Sequence, residues 1–373
     1  MTTPIAILGA GPSGLALGRL LEVSNIDYTI FERDESAVLA AGRGGGTLDV
    51  HTGSGQAALQ EAGLLEQFKS IARYDATNTL TDSTGKICLE MGDDGEQDRP
   101  EIDRKDLRDL LLNSVPAAKV RWAKKVQCVQ KENDGSMSVH FTDGTIESGF
   151  QLVVGADGAW SNVRSMVSFL AAADPHSQLH SSAAALAGKG NYMSFGARRQ
   201  FAVQMLGDGS YYLTLGMHLP ESWISENATI VKDPTALRQL LLRDYFDASP
   251  QVHKDLIQHS DGDLRLWPLY ALPAEAMAWQ TVPGVTLIGD AAHLSTPFVG
   301  EGVNCAMYDS LQLSQQIVKH GLGGLGHAVE EYEKLMFPRA IDLITRSATS
   351  AEYLFAPDAP WGWIKSFAGI DSA

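Results

Sequence analysis

The chain has 373 residues, 44% of them hydrophobic and 20% charged, with a formal net charge of −16 at pH 7. That length suits two or three domains of ordinary globular composition, and the acidity argues against a broad surface for nucleic acid or anionic lipid. No apolar run reaches the ~18 residues of a membrane span. The three cysteines, Cys88, Cys128 and Cys305, form no paired motif, and no ligand cluster at metal spacing is present, so no metal is expected.

Residues 5–8 read as a buried first strand rather than part of a signal sequence, which places the expected location in the cytoplasm. Gly9, Gly11 and Gly14 follow in G-x-G-x-x-G spacing, and Leu15, Leu17, Leu20 and Leu21 then recur at helical spacing. Strand, glycine turn and helix in that order form a dinucleotide-binding fingerprint. The first glycine permits the tight turn, the second lets a pyrophosphate approach the backbone, and the third lets helix and strand pack closely. Residues 27–31 read as the second strand, with Glu32 at its end. An acid there accepts hydrogen bonds from an adenosine ribose and repels a 2′-phosphate, so the tightly held nucleotide is not NADP.

Residues 42–46 read Gly-Arg43-Gly-Gly-Gly, which suits neither helix nor strand. Either this is a plain surface loop, or it passes a flat ligand with Arg43 as its cation. Ser54 is expected to cap a helix running to 65, with strands at 76–81 and 86–91. A helix is expected after Asp103, with Leu107, Leu110, Leu111 and Val115 inward. Arg104 and Arg108 lie one turn apart on that helix, either as a solvated basic face beside Asp106 and Asp109 or as a ligand contact. Strands at 119–122, 124–132 and 137–141 are punctuated by hairpin turns. Residues 152–164 form a second strand–turn–helix, in which Asp157 ends the strand, Ser161 caps the helix and Arg164 lies in its first turn. The stretch 168–190 is rich in Ala, Ser and His, lacks alternation and reads as irregular. Strand patterns return over 191–218 and at 264–269, with helices expected at 220–224, 235–246 and 252–259.

Residues 284–304 carry the strongest local signal. A buried strand at 285–288 ends at Gly289 and Asp290, a tight loop contains Pro297, Gly300 and Gly302, and helical spacing begins at 303. A strand, a glycine turn and a helix N-terminus make an anion site, while an acid at the strand end holds a sugar-like hydroxyl. Such a site suits a ligand bearing both groups. Helical spacing continues to about 353, and 361–365 reads as a short amphipathic helix.

Three motifs in this order, Gly9-x-Gly11-x-x-Gly14 with Glu32-Arg33, Gly155-Ala-Asp157-Gly158-x-x-Ser161-x-x-Arg164, and Gly289-Asp290-Ala-Ala-His293 with Pro297-x-x-Gly300-Glu301-Gly302-x-Asn304, resemble one family. It is the single-component FAD-dependent aromatic monooxygenases of the para-hydroxybenzoate hydroxylase type. The runs 45–56 and 101–108 are most similar to the tetracycline-inactivating monooxygenases and their fungal relatives. The resemblance implies an α/β fold with three parts. A Rossmann-like FAD-binding domain takes 1–74, 99–167 and 284–351, an inserted mixed β-sheet substrate domain takes 75–98 and 168–283, and a C-terminal helical segment takes 352–373.

The resemblance also implies bound FAD. Gly9, Gly11 and Gly14 would form the turn that its pyrophosphate approaches, Glu32 and Arg33 would hold its adenosine end, Asp49 would lie near the flavin, and Arg104 and Arg108 would contact the FAD. Asp157 would edge the groove, and Asp290, after Gly289, would accept a ribityl hydroxyl. The helix start from Gly302 to Asn304 would face the flavin N1 and C2=O, and His293 would pack and hydrogen-bond in the turn. NADPH or NADH would dock transiently, with Arg43 the candidate contact. Reduced flavin and O₂ would form a C4a-hydroperoxide that oxygenates a planar aromatic or polycyclic phenol or enol. Phe298, Tyr212 and Leu354 are expected to line the substrate pocket. Tyr212 and Asn191 stand where relatives carry His and Arg, which argues against tetracycline itself. An irregular 168–190 would leave one wall open and divert NADPH to peroxide. No partner chain or nucleic acid is expected, and the protein is read as a monomer. Two further readings are an FAD-binding protein of the same fold with lost or uncoupled catalysis, and a flavin-dependent reductase.

Overall fold

The structure is a computed structural model that describes residues 3–38, 45–91, 99–158, 166–173, 178–261 and 264–367. The chain divides into two compact units. The first comprises Met1–Ala72, Arg104–Asn162 and Ala271–Arg346, and the second Arg73–Asp103, Val163–Tyr270 and Ser347–Ala373. The fold is α/β, and no helix among the described residues is long and apolar enough to cross a membrane.

The first unit is built on a five-stranded parallel sheet in the order Val285–Leu287, Leu152–Gly155, Ile5–Leu8, Tyr28–Phe31, Val120–Arg121. The two central strands are buried along their whole length, as continuous apolar runs must be when both faces of a parallel sheet are covered. The Pro12–Val23 helix returns the chain from the first strand to the second. Its proline sits at the start, where the missing N–H costs nothing, and Leu15, Leu17, Leu20 and Leu21 point inward. The Leu325–Leu354 helix is tied to the opposite edge of the sheet. Its Tyr332 hydroxyl donates to the Leu287 carbonyl at 3.0 Å, and its buried Glu333 accepts from Trp279, Thr281 and Thr286. The expected single helix from Ser54 to 65 is instead two, Gly55–Glu61 and Leu65–Ile71, with Gly63 between them at φ +71°.

The second unit carries a seven-stranded mixed sheet. Its order is Arg265–Leu269, Met166–Ala173, Tyr211–Met217, Arg199–Met205, Asn191–Gly196, Asn78–Asp82, Ile87–Met91. All neighbours are antiparallel except Asn191–Gly196 and Asn78–Asp82, which run parallel. Strict alternation sends Tyr192, Phe201, Val203, Leu213 and Leu215 to one face, where they meet Leu237 and Leu241 of the Pro234–Asp244 helix and Ile257 of the Gln251–His259 helix. The expectation of an irregular 168–190 is corrected here. Met166–Ala173 is a strand hydrogen-bonded on both edges, and Gln178–Ala187 is a helix. Pairing on two sides overrides the weak strand preference of an Ala-rich sequence, which depends on neighbours more than on intrinsic backbone bias. The Asp103 carboxylate, just before the Arg104–Asn113 helix, accepts from Arg73 at 2.7 Å and from the Gly207 N–H.

A buried polar chain crosses this core. The Thr81 hydroxyl donates to the Tyr192 oxygen at 3.1 Å, Tyr192 lies 2.9 Å from His253 Nε2, and the His253 ring stacks on Phe201 with centroids 4.1 Å apart. Burial disfavours the imidazolium and brings the His253 pKa down to about 4. In the unfolded chain the ring takes up a proton near pH 6.5. The folded state binds fewer protons between those values, so stability falls as pH drops from 6.5 toward 4. We expect a loss of about 2 kcal/mol between pH 7 and pH 5 from this one group. Urea unfolding of wild type and His253→Gln at both pH values measures it. An identical pH dependence in the two proteins would show that His253 is not the titrating group.

Candidate cofactor site

Three neighbouring parallel strands, Ile5–Leu8, Leu152–Gly155 and Val285–Leu287, end on the same edge of the sheet. Each runs into a loop flagged in the sequence, carrying Gly9 to Gly14, Asp157, and Gly289 with Asp290. Ligands of open parallel sheets bind at this carboxyl end. Gly9 has φ +115°, and a Cβ there would collide with the Ala156 carbonyl. A Cβ on Gly14 would collide with the Gly9 carbonyl, whereas one on Gly11 would meet nothing within 4 Å. The outer glycines are therefore consumed by packing, and the middle one leaves bare backbone for a ligand to approach.

Glu32 is 8% exposed. Its Oε2 accepts from the Ala10 N–H at 2.6 Å and its Oε1 from the Asp34 N–H at 3.0 Å. It thus fastens the glycine turn to the end of the second strand, while each oxygen keeps a lone pair for a sugar hydroxyl. Asp157 and Asp290 both retain accessible surface, yet both carboxyls are held above their ordinary range, in each case first by burial. At Asp157 the Arg33 cation opposes the rise and Glu32 adds to it. At Asp290 the charges of His293 and Arg104 oppose it and Asp309 adds to it. These two acids, with Arg33 and Arg104 in electrostatic range, stand at the carboxyl ends of the strands.

The two arginines of the Arg104–Asn113 helix part company. Arg104 is exposed and bears on Asp290. Arg108 is buried, donates to the Ala37 carbonyl at 2.9 Å, and holds its guanidinium 5.9 Å from the Trp122 ring centre. Asn304, 1% exposed in the first turn of the Gly302–His320 helix, is a clamp. Its Oδ1 accepts from the His51 N–H at 2.8 Å and its Nδ2 donates to the Asp49 carbonyl at 2.9 Å. It pins the strand bearing Asp49 to the helix start. The Asp49 carboxylate meets His51 Nε2 at 2.9 Å and lies 3.6 Å from where a Cβ on Gly300 would stand. A Cβ on Gly302 would meet nothing within 4 Å, which leaves space beside the backbone at the helix start.

A network the sequence reading missed supports the turn from beneath. Asp309 is fully buried, and its Oδ2 accepts from the Gly289 N–H at 2.8 Å and meets His293 Nε2 at 2.6 Å. Its Oδ1 accepts from Arg339 at 2.7 Å. Burial alone would raise the Asp309 pKa, but His293, Arg339 and the Gly289 N–H together bring it below its ordinary value. The available signal was an acid among the inward residues Cys305, Ala306 and Leu313 of the helix. His293 is thereby a buried structural group.

Tyr212 and Leu354 belong to the second unit, Tyr212 half-buried on its sheet and Leu354 buried. Phe298 belongs to the first unit, half-buried in the Pro297–Val299 turn. Arg43, Ser161 and Arg164 lie outside the described residues.

Bare backbone at Gly11 and Gly302, with carboxylates at Glu32, Asp157 and Asp290, fits a dinucleotide that has hydroxyls to donate and negative groups to be held. Comparison with known proteins agrees. Residues 2–187 and 247–346 match the family described as FAD binding domain. The chain is 32% identical to monooxygenase penA of Penicillium thymicola, over 90% of this chain and 91% of that protein. It is 28% identical to the 3-amino-4-hydroxybenzoate 2-monooxygenase of Streptomyces cremeus, over 95% and 89%. Its fold is similar to that of tetracycline destructase Tet(51), with TM-score 0.73 at 17% identity, covering 99% of this chain and 96% of that one. The chain therefore belongs to the FAD-binding domain family and is an FAD-dependent oxidoreductase of the monooxygenase kind.

Proposed function

We propose that this enzyme hydroxylates a planar, electron-rich aromatic or enolic compound, with NADPH or NADH as reductant. The overall balance is one substrate C–H, one O₂, one NAD(P)H and one proton, giving C–OH, NAD(P)⁺ and water. Bound FAD supplies the electron storage and oxygen activation, chemistry no side chain here offers. The protein's own residues bind and orient. Backbone at Gly11 receives the pyrophosphate, Glu32 the adenosine ribose, and Asp290 a ribityl hydroxyl. The observation that supports this reading is the space beside Gly302 at the start of the helix that Asn304 clamps to the backbone of Asp49 and His51. A helix N-terminus there stabilises negative charge on a reduced ring system by up to ~2 kcal/mol in a partly buried setting. A second nucleotide-binding fingerprint is absent from the sequence, so the reductant would dock transiently, with Arg43 as candidate contact. The relative named for 3-amino-4-hydroxybenzoate supports a small hydroxylated ring as the general type.

The purified protein is expected to be yellow and to release one FAD per chain on denaturation. With ¹⁸O₂ and either reductant, label should enter the ring product. The earlier reason to expect leakage to peroxide is gone, because the Met166–Ala173 strand completes the sheet. Peroxide should therefore be the minor product when substrate is bound. Reduction of a substrate without O₂ consumption would favour the reductase, and FAD binding with no turnover would favour a protein that has lost catalysis.

A further inference from the structure

We propose that Arg346 is a positioning residue for the cofactor ring. It fastens the loop that enters the Gly302–His320 helix and cancels the charge of Glu301, so that the positive end of that helix is left to an anionic ligand. The proposal rests on the reading that the flavin ring lies against this helix start, and it names a residue that sets the field there.

The chain enters the helix through the Pro297–Val299 turn, Gly300 at φ +69° and Glu301. Glu301 is the residue just before the helix, and its carbonyl accepts the Cys305 N–H at 2.9 Å, opening the helical ladder. An acid at this position ordinarily turns onto the first N–H groups of its helix and neutralises their partial charge. The Glu301 side chain makes no such bond. Its carboxylate is taken instead by Arg346 of the Leu325–Leu354 helix, with Nη1 donating to Oε1 at 2.9 Å and Nη2 to Oε2 at 2.6 Å. Arg346 Nε donates to Asp342 Oδ2 at 2.7 Å, one turn earlier on its own helix. All three guanidinium nitrogens are therefore engaged, and the fork is held in one orientation. Such a paired fork is directional as well as charged, and a lysine supplies only the charge.

The charge matters because of what reduction does. Uptake of two electrons and one proton gives bound FAD one further negative charge, which the positive end of a helix stabilises. An unpaired Glu301 would oppose that charge from the adjoining residue. The other acids around this helix start are paired as well. Asp49 lies 2.9 Å from His51 Nε2, and Asp309 meets His293 at 2.6 Å and Arg339 at 2.7 Å. Glu301 is the acid of the 294–301 loop, and Arg346 extends the same pairing to it.

Bracing and charge cancellation predict different signs. Arg346→Gln and Glu301→Gln both break the bridge. A bridge that only braces the loop makes both variants shift the cofactor in the same direction. A bridge that cancels charge makes them opposite, since the first exposes a carboxylate and the second leaves a guanidinium uncancelled.

The readout is the midpoint potential of bound FAD, titrated anaerobically with dithionite against reference dyes. Arg346→Gln is expected to weaken reduced relative to oxidised FAD about two- to five-fold, a fall of about 10–20 mV for a two-electron couple. Glu301→Gln should raise the potential by a similar amount, and the double variant should return close to wild type. Arg346→Lys keeps the charge and should lie nearer to wild type than Arg346→Gln. The side chains are 43% and 27% exposed, so every shift should shrink as salt is raised. Retained FAD and unchanged circular dichroism establish that each variant is folded. Equal potentials in all variants, or shifts of one sign in both single variants, overturn the proposal. Wild-type FAD affinity in Asp290→Ala, or a wild-type protein that binds no FAD, would overturn the placement of the cofactor ring and the proposal with it.

Discussion

Asp290→Ala is expected to lower the affinity of the apoprotein for FAD by about ten- to a hundred-fold, because a hydrogen bond to an ionised acceptor is worth about 1.5–3 kcal/mol. The same substitution should leave the apoprotein no less stable. Asp290 is held above its ordinary pKa by burial, and the fully buried Asp309 adds to the rise. Removing it relieves an unfavourable charge. Asp290→Asn retains an acceptor oxygen and should fall between wild type and Ala. Titration of apoprotein with FAD, followed by flavin fluorescence, measures the affinity, and thermal unfolding of the apo forms measures the stability. Unchanged affinity would make Asp290 a scaffold residue and not a ligand for the ribityl chain.

Asp309→Ala should have the larger effect on the protein itself. It removes the shared acceptor of Gly289, His293 and Arg339 and leaves the buried His293 ring and the half-buried Arg339 guanidinium without it. Breaking a buried charge network in this way costs about 3–5 kcal/mol. The signs follow from the shifts. Asp309 is depressed, so its contribution is present above the ordinary carboxylate pKa and is lost as pH falls through the lower folded value. Burial would lower His293, but Asp309 outweighs it and His293 is raised. Its contribution is full below about pH 6.5 and is lost as pH rises through its elevated folded value. The Gly289 turn is held by the same carboxylate, so FAD affinity should fall together with stability. The double variant Asp309→Ala/Arg339→Met should cost less than the two single variants summed, since it removes the uncompensated guanidinium as well. Urea denaturation gives all four corners of the cycle. A loss under about 1 kcal/mol for Asp309→Ala would mean that water or another group replaces the carboxylate.

The local geometry of the candidate cofactor site was legible in the sequence because it depends on short windows. The turn at Gly9 needs a residue without a Cβ whatever surrounds it, and the apolar run before it and the leucine spacing after it name strand and helix within a short window. The same holds for Gly289 and Asp290. The position of Glu32 at a strand end was likewise a matter of counting. Its bond to the Ala10 N–H was not, since it joins two segments 22 residues apart.

What only the tertiary structure decided lies in long-range pairs. Arg104 and Arg108 are alike in sequence, and their division depends on Trp122 and the Ala37 carbonyl, which lie on other elements. Asn304 reads as part of a glycine-rich motif, yet its amide is spent on backbone more than 250 residues earlier. Asp309 is one acid in a long helix until the fold brings Gly289, His293 and Arg339 around it. The Met166–Ala173 strand has no alternation to announce it and exists because two neighbours pair with it. Sequence determines structure directly where backbone sterics and a single helix or strand period suffice. Where the deciding energy is burial of a polar group against a distant partner, the partner must first be folded into place.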